Sequence, residues 1–273
     1  MSKPTIIIGL VTLTLLLALA LPTHAAPGDT TRVSVDSNGA QANGISGVPA
    51  ISADGRYVAF ESDATNLVSG DTNNFNDIFV HDRQTGQTTR VSVDSNGAEA
   101  TEGFLGSIAP AISADGRYVA FASDATNLVS GDTNGSSDIF IHDRQTGQTT
   151  RVSIASDGTQ ATGGSSFSSA ISSDGRYVAF ESNADNLVGG DTNLAPDIFV
   201  HDRQTGQTTR VSVDSNGTQA NGASYSPAIS ADGRYVAFES LATNLVSGDT
   251  NGSSDIFVRR WMSFQVFLPL VMR

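Results

Sequence analysis

The recurring pattern of side chains that could do chemistry is Asp-Thr-Asn followed, after three variable residues, by a second Asp. Oxygen ligands at the first, third and seventh positions resemble the opening of a calcium-binding loop. The fifth position is Phe, Ser, Ala or Ser in the four copies, and the sixth is never glycine, so the ligand set is incomplete. If calcium binds, the pattern predicts four equivalent weak sites, at Asp71, Asn73 and Asp77; Asp132, Asn134 and Asp138; Asp191, Asn193 and Asp197; and Asp249, Asn251 and Asp255.

A structural role for the same residues competes with the calcium interpretation. Asp and Asn side chains cap turns by bonding to the backbone two residues further on. On this interpretation the first Asp and the Asn hold a turn, and the last Asp bonds a neighbouring repeat. The spacing alone leaves both interpretations open.

A catalytic site needs a few residues that break a repeat, whereas the histidines of this chain follow the repeat. His81, His142 and His201 share one position and each precedes Asp, whereas the fourth copy has Arg259-Arg260 there. The chain has no cysteine, which excludes a thiol nucleophile and a thiolate zinc site. The sequence also lacks a Gly-x-Ser-x-Gly elbow served by a lone acid and base. We therefore expect no enzymatic activity.

The charge balance restricts the class of partner. The formal net charge is -13, from 15 basic and 28 acidic residues. An acidic surface repels phosphate backbones, so nucleic acid is not expected as a partner. With 38% hydrophobic residues, the chain has enough apolar mass for a folded core.

An internal repeat determines the predicted fold. ISADGRYVAFES begins at Ile51 and recurs almost unchanged from Ile112, Ile171 and Ile229. DIF[VI]HDRQTGQTTRVS follows in three of the four copies, and the fourth diverges after DIFV. Asp-Gly and Thr-Gly pairs between short runs rich in Tyr, Val, Ile, Phe and Thr indicate tight hairpins. Each repeat therefore predicts four short antiparallel strands.

The paired motifs resemble those of the TolB-type β-propeller blade, a relative of the WD-type blade. S-[AS]-D-G-R-Y-V-A-F followed by D-I-F-V-H-D-R-x-T-G carries the resemblance over about residues 30–260. Ala or Ser stands where the family usually has proline, at Ala53, Ala114, Ser173 and Ala231. The resemblance implies an all-β propeller. It does not fix a function, because the family includes binding, scaffolding and enzyme-appended members.

Strand counting predicts how the propeller closes. Thr30 to Val35 reads as a fourth-type strand with no blade before it, and Asp255 to Val258 as a third-type strand with no fourth after it. We predict four four-stranded antiparallel blades, closed by the N-terminal strand completing the last blade. The alternative is an open or paired arrangement, in which two chains form an eight-bladed ring.

Loop lengths predict where a partner binds. Tight turns are expected on one face of the propeller and long loops on the other, and the long loops vary most between copies. We predict a non-catalytic binding or scaffold module that contacts a protein or glycan through its long-loop face. The alternative function is a calcium-binding structural module of the cell surface, and a more distant one is a propeller-type hydrolase or lyase.

The two ends of the chain differ from the repeats. Residues 1–25 read as a signal peptide, with Lys3 before the apolar run Ile6 to Leu21 and a cut expected after Ala25. The alternative is an uncleaved anchor. Secretion is expected, with residues 26–260 as the propeller and no transmembrane segment after cleavage. Residues 261–273 form an apolar tail, interpreted as a final strand or plug, or alternatively as a sorting signal.

Overall fold

The computed structural model describes residues 28–262 except 102, 104 and 105. The predicted signal peptide and residues 263–273 of the predicted tail lie outside the described residues. Within the described part, no helix is long and apolar enough to cross a membrane. The chain forms strands β1 (Ser46–Ile51), β2 (Tyr57–Ser62), β3 (Asp77–Asp82), β4 (Gln87–Arg90), β5 (Ser107–Ile112), β6 (Tyr118–Ser123), β7 (Asp138–Asp143), β8 (Gln148–Arg151), β9 (Ser166–Ile171), β10 (Tyr177–Ser182), β11 (Asp197–Asp202), β12 (Gln207–Arg210), β13 (Ser224–Ile229), β14 (Tyr235–Ser240) and β15 (Asp255–Arg260).

The strands form four antiparallel sheets, each a meander of consecutive strands. The first three blades are β1–β4, β5–β8 and β9–β12. The all-β prediction is confirmed, and so are three four-stranded blades. Within the part of the chain that the structure describes, the fourth blade, β13–β15, has three strands rather than four, and β15 is its edge. Closure by the N-terminal strand is not confirmed, because residues 30–34 belong to none of these sheets and Val35 only bridges Gln41.

Local sequence explains the hairpins within a blade. Gly55 adopts a φ of 71°, and its amide donates to the Ser52 carbonyl at 2.9 Å, which closes the turn between β1 and β2. The Asp54 carboxylate accepts the Arg56 amide at 3.0 Å and fixes the turn from the other side. Gly86, at a φ of 75°, makes the turn between β3 and β4. Glycine is required at both turns because side chains disfavour positive φ.

The three largest hydrophobic clusters lie between blades, and a smaller one, around Phe60, Leu67 and Phe79, lies within the first blade. Ile78 and Val80 of the first blade are buried against Val119, Phe121 and Phe140 of the second. The second and third blades, and the third and fourth, pack in the same way. Trp261 and Met262, the first two residues of the predicted tail, also pack on the last of these cores. Apolar burial therefore stabilises the chain mainly at the blade junctions.

The four blades form an open arc. The inner strands contact in succession, β1 with β5, β5 with β9 and β9 with β13. Between β1 and β13 there is no contact of comparable extent. The first and last blades are consequently the two free ends of the arc.

Candidate functional site

The strand meander separates two faces with different chemistry. On the tight-turn face, Arg56 forms a two-pronged ion pair with Asp82, and its hydrogen bonds hold the pKa of that carboxyl well below its usual range. On the long-loop face, the β2–β3 loop bonds the segment before β1, for example through the Asn43 amide to Asn66 Oδ1 at 2.9 Å. The loops between strands and those between blades thus form one continuous surface.

The asparagine of each Asp-Thr-Asn loop caps its turn. Asn73 Oδ1 accepts the Phe75 amide at 2.8 Å, and its Nδ2 donates to Asp77 Oδ2 at 3.1 Å and to the Ala100 carbonyl at 2.9 Å. Asn134, Asn193 and Asn251 accept the equivalent amides at 3.0, 3.0 and 2.8 Å. The side-chain oxygen predicted as a calcium ligand is therefore engaged with the backbone.

The last aspartate of each loop in the first three blades fastens two strands of its own blade. Asp77 is fully buried and accepts a hydrogen bond from Ser92 Oγ, which in turn accepts the Ile78 amide at 3.0 Å. Asp138 and Asp197 bond Ser153 and Ser212 in the same way. Burial raises the pKa of Asp77, whereas the bond from Ser92 and the charge of Arg90 oppose that rise. The partner is thus within the blade, and not in a neighbouring repeat as the structural interpretation expected.

An arginine lies among the carboxylates of each of the first three blades. Arg90 Nη1 is 3.5 Å from Asp71, 3.1 Å from Asp77 and 2.7 Å from Glu99. Arg151 lies 3.1 Å from both Asp132 and Asp138, and Arg210 lies 3.4 and 3.3 Å from Asp191 and Asp197. These arginines were not among the predicted site residues, although the Thr-Thr-Arg-Val-Ser segment that contains them recurs in the sequence.

The first-blade carboxylates are close enough together to hold a metal ion. Ligand oxygens of Asp71, Asp77 and Glu99 lie within 4.8 Å of one another. Burial, and then the charge of Asp77, raise the pKa of Asp71 to about 6. Asp71 Oδ1 is buried and accepts no hydrogen bond. The Arg90 guanidinium already supplies a cation here, so a calcium ion would have to displace it.

The fourth blade presents the same loop without an arginine. Among the described residues no salt bridge reaches Asp249 or Asp255, because the blade lacks the strand that carries the arginine elsewhere. Asp255 accepts the Asn251 amide group at 3.2 Å. These residues line an open groove beside the edge of β15, together with Phe257.

The three repeated histidines serve strand pairing. His81 Nδ1 lies 2.9 Å from Thr88 Oγ1, and that hydroxyl donates to the Val35 carbonyl. The hydroxyl must therefore accept from Nδ1–H, which assigns the neutral Nδ1 tautomer. His142 and His201 repeat the contact with Thr149 and Thr208. Burial lowers the pKa of all three, and that of His201 reaches about 4.

The loop tips combine one backbone conformation with different side chains. The residue after Asp-Thr-Asn has a left-handed φ in every copy: 58° at Asn74, 64° at Gly135, 56° at Leu194 and 64° at Gly252. Two residues later, the carbonyls of Asn76, Ser137 and Pro196 each accept, at 2.7 Å, the first amide of the next blade's inner strand. Leu194 is 91% exposed. Each of these three tips is therefore held at a blade junction, with its first residue exposed and the two that follow half-buried or buried.

Comparison with known proteins finds similarity of architecture. No family model and no curated protein matches the chain. TolB from Acinetobacter baumannii is 21% identical over 80% of this chain and 41% of that one, with a TM-score of 0.47. A putative TolB from Agrobacterium tumefaciens is 17% identical over 77% and 60%, with a TM-score of 0.46. The β-propeller domain of the Trilobed protease from Pyrococcus furiosus is 12% identical over 80% and 55%, with a TM-score of 0.44.

The chain's own sheets and motifs define its class. Consecutive four-stranded antiparallel meanders that pack face to face, each carrying the Asp-Gly-Arg-Tyr and Asp-Ile-Phe motifs, are propeller blades. The protein is a repeat protein built from β-propeller blades. It spans 41 to 60% of the length of the three similar chains.

Proposed function

We propose that the protein is an exported, non-catalytic binding or scaffold module that recognises a protein or glycan through its long-loop face. The loop tips carry this proposal, since one backbone conformation presents Asn-Phe-Asn, Gly-Ser-Ser, Leu-Ala-Pro and Gly-Ser-Ser in turn. A fixed frame that exposes a different residue at each tip is the arrangement that recognition surfaces use. Export rests on the predicted signal peptide in residues 1–25.

Leu194 is the strongest candidate for a contact residue. A left-handed φ costs a leucine about 1–2 kcal/mol relative to the right-handed conformation. With 91% of its surface exposed, Leu194 recovers little of that cost through packing within the chain. Gly135 and Gly252 show that glycine occupies the same position in two other copies. An exposed apolar side chain kept at a strained position is typical of a binding site.

The non-catalytic part of the proposal rests on how the polar residues are used. The histidines bond threonines, the loop asparagines cap turns, and the buried aspartates hold serines and arginines. Each arrangement recurs at the same place in successive blades. These groups stabilise the blades, and none is shared with a lone nucleophile.

A loop exchange that uses the chain's own sequence tests the binding proposal. Replacing Asn74-Phe75-Asn76 and Leu194-Ala195-Pro196 by Gly-Ser-Ser converts two tips to the sequence found in the second and fourth blades. We expect the variant to keep its thermal midpoint and to lose cross-linked partners that the unaltered chain captures from its native extracellular or envelope fraction. The matched control replaces Gln84 and Gln145 by alanine on the tight-turn face. If the control loses those partners and the loop variant keeps them, the binding face is the opposite one.

Calcium binding is the second candidate, and the fourth blade favours it. Asp249, Asn251 and Asp255 lie together without the arginine that neutralises their equivalents. A ligand present at about 100 times its dissociation constant stabilises the folded state by about 2.7 kcal/mol. On this second candidate, in which no arginine enters the site, calcium raises the thermal midpoint relative to EDTA. The rise should vanish in Asp249→Asn/Asp255→Asn and persist in Asp132→Asn; identical melts in calcium and EDTA would exclude this site.

A further inference from the structure

The exposed apolar side chains of the described residues concentrate at the two ends of the arc. Apart from Leu194, every large exposed hydrophobic residue belongs to the first blade and the segment before it, or to the last blade: Ile45, Val48, Ile51, Tyr235, Leu241, Val246, Ile256 and Val258. Ile256 and Val258 are 73% and 68% exposed, whereas their equivalents Ile78 and Val80 are fully buried. The last blade thus exposes the face that each earlier blade buries against its successor.

The internal junctions show what would cover that face. Tyr57 of the first blade packs so tightly on Gly116 of the second that a Cβ there would lie within 2.1 Å of the ring. The Arg144 guanidinium stacks over the same tyrosine at 4.4 Å. Tyr118 meets Gly175 and Arg203 in the same way. A tyrosine on one blade is therefore matched by a turn glycine and an arginine on the next.

The free ends carry the two halves of this junction separately. Tyr235 of the last blade is 42% exposed. On the first blade, the described residues place only the Arg83 and Ile51 side chains within 4 Å of a Cβ at Gly55, and no tyrosine among them packs on this turn. The last blade has the tyrosine, and the first blade has the glycine and the arginine.

The N-terminal segment has the sequence of the strand that the fourth blade lacks. Residues 30–34 read Thr-Thr-Arg-Val-Ser, identical to residues 88–92 at the end of the first blade. There, Arg90 pairs with Asp77 and Ser92 Oγ accepts the Ile78 amide. Arg32 is equivalent to Arg90 and would pair with Asp255. Ser34 is equivalent to Ser92 and would accept the Ile256 amide.

Residues that follow this segment are already arranged as at an internal junction. The Val35 carbonyl accepts from Thr88 Oγ1, as the Val93 carbonyl accepts from Thr149 Oγ1 at the next junction. The Ala42 amide donates to the Ser34 carbonyl at 3.1 Å, and the Ala100 amide to Ser92 at the same distance. Residues 30–34 therefore extend from the first blade toward the position that a preceding blade would have. The chain's own fourth blade does not lie at that position.

We propose that the last blade of one chain docks on the first blade of a second copy, whose residues 30–34 complete it as a fourth strand. Arg32 of the second copy then neutralises Asp249 and Asp255, and Gly55 and Arg83 of that copy cover Tyr235. The contact is head-to-tail, because different surfaces of the two copies meet. Two such contacts join two four-bladed arcs into an eight-bladed ring. The occupant of the β15 edge is thus a second copy of this chain.

Engineered cysteines test the strand register directly, because the chain has no native cysteine. Val80 pairs with Thr89 between β3 and β4, so Val258 is expected opposite Thr31 of the second copy. Facing residues on antiparallel strands lie about 4.5–5.5 Å apart at Cα, within the range for a disulfide. Full-length chains with Thr31→Cys alone, mixed with chains carrying Val258→Cys alone and oxidised, are expected to give a disulfide-linked pair. Thr31→Cys mixed with Leu194→Cys is the matched control and should stay unlinked.

Two outcomes would overturn the proposal. If the mixed single variants stay unlinked while one chain carrying both cysteines forms an internal disulfide, the chain closes on itself. If cross-linking requires removal of residues 263–273, the chain's own tail occupies the edge. Light scattering gives an independent measurement, in which the unaltered chain is expected at twice the mass of one chain. Ile256→Lys should halve that mass and Leu194→Lys should not; a single-chain mass for all three contradicts the proposal.

Discussion

The indole Nε1 of Trp261 donates to the Gly233 carbonyl at 2.7 Å. In the first three blades, Arg83, Arg144 and Arg203 make the same bond, at the same 2.7 Å, to Gly55, Gly116 and Gly175. Trp261 also meets the Tyr177 ring edge-on at a centroid distance of 5.5 Å, where an arginine stacks over the corresponding ring at earlier junctions. The last blade thus keeps the contact with a different residue type.

Replacing Trp261 should therefore be destabilising in a way that arginine repairs. Trp261→Ala removes a partly buried ring and leaves the Gly233 carbonyl without its donor, so a loss of about 2–4 kcal/mol is expected in the free energy of unfolding. Trp261→Arg restores the donor and a group that stacks on Tyr177. Urea unfolding of both variants measures the difference. Equal losses in the two variants would show that ring volume matters and the shared bond does not.

Removing Arg90 should turn a structural cluster into a cation site. Arg90→Ala leaves Asp71, Asp77 and Glu99 without their counter-charge, and breaking a buried pair costs about 3–5 kcal/mol. Because the three carboxylates remain together, calcium is expected to restore part of that loss in the variant and to have no such effect at this blade in the unaltered chain. Arg90→Lys, which keeps the charge, is the control and should not respond to calcium. Thermal unfolding in calcium and in EDTA gives the comparison.

Neutralising Asp71 should stabilise the protein at neutral pH. Its folded-state pKa of about 6 lies above the ordinary value of 3.8, so ionisation opposes folding once the pH exceeds about 4, and fully so above 6. Asp71→Asn is expected to be more stable than the unaltered chain by about 1–3 kcal/mol at pH 7.5, with the advantage shrinking toward pH 4. Asp191→Asn is the control, because Asp191 accepts a bond from Gln219 at 2.7 Å and should gain nothing. An advantage that is constant with pH would contradict the assignment.

The histidine bonds should produce the opposite pH dependence. Burial lowers the pKa of His201 to about 4, below the ordinary 6.5, so protonation favours the unfolded chain and stability falls as the pH drops from 6.5 to 4. His201→Asn places an amide N–H near the position of Nδ1 and cannot be protonated. We expect the variant to be about 1 kcal/mol less stable at pH 8, from lost packing, and to show a shallower decline between pH 6.5 and 4. Parallel stability curves would show that His201 is not the titrating group.

The blades themselves were predictable because their signals are local. The turn at Gly55 requires a positive φ, and residue types that favour strands, such as Tyr57 and Phe60, indicate a sheet before any tertiary contact is known. The asparagine caps were one of two interpretations that the spacing allowed. The choice between them remained open in the sequence because Asn73 could present its oxygen to a cation or to the Phe75 amide.

The arginine at each carboxylate cluster was less accessible to sequence reasoning. Arg90 lies thirteen residues after Asp77 and reaches it only because β4 pairs with β3. Glu99 joins the same cluster from the segment after that strand. The thirteen-residue spacing recurs in the three blades, but a spacing of that length indicates contact only once the strand pairing is known.

The sequence by itself determined the repeat, the hairpins and the all-β blades, because each depends on residues close together along the chain. It also contained a Thr-Thr-Arg-Val-Ser segment before the first blade and a last repeat that diverges after Asp-Ile-Phe-Val. Only the tertiary structure shows that, within the described residues, residues 30–34 do not pair with β15. How the blades are arranged depends on face-to-face packing, such as that of Ile78 with Val119, which joins residues far apart along the chain. In this packing β1 and β13 make no contact like that between neighbouring inner strands, and Ile256 and Val258 of the last blade stay exposed.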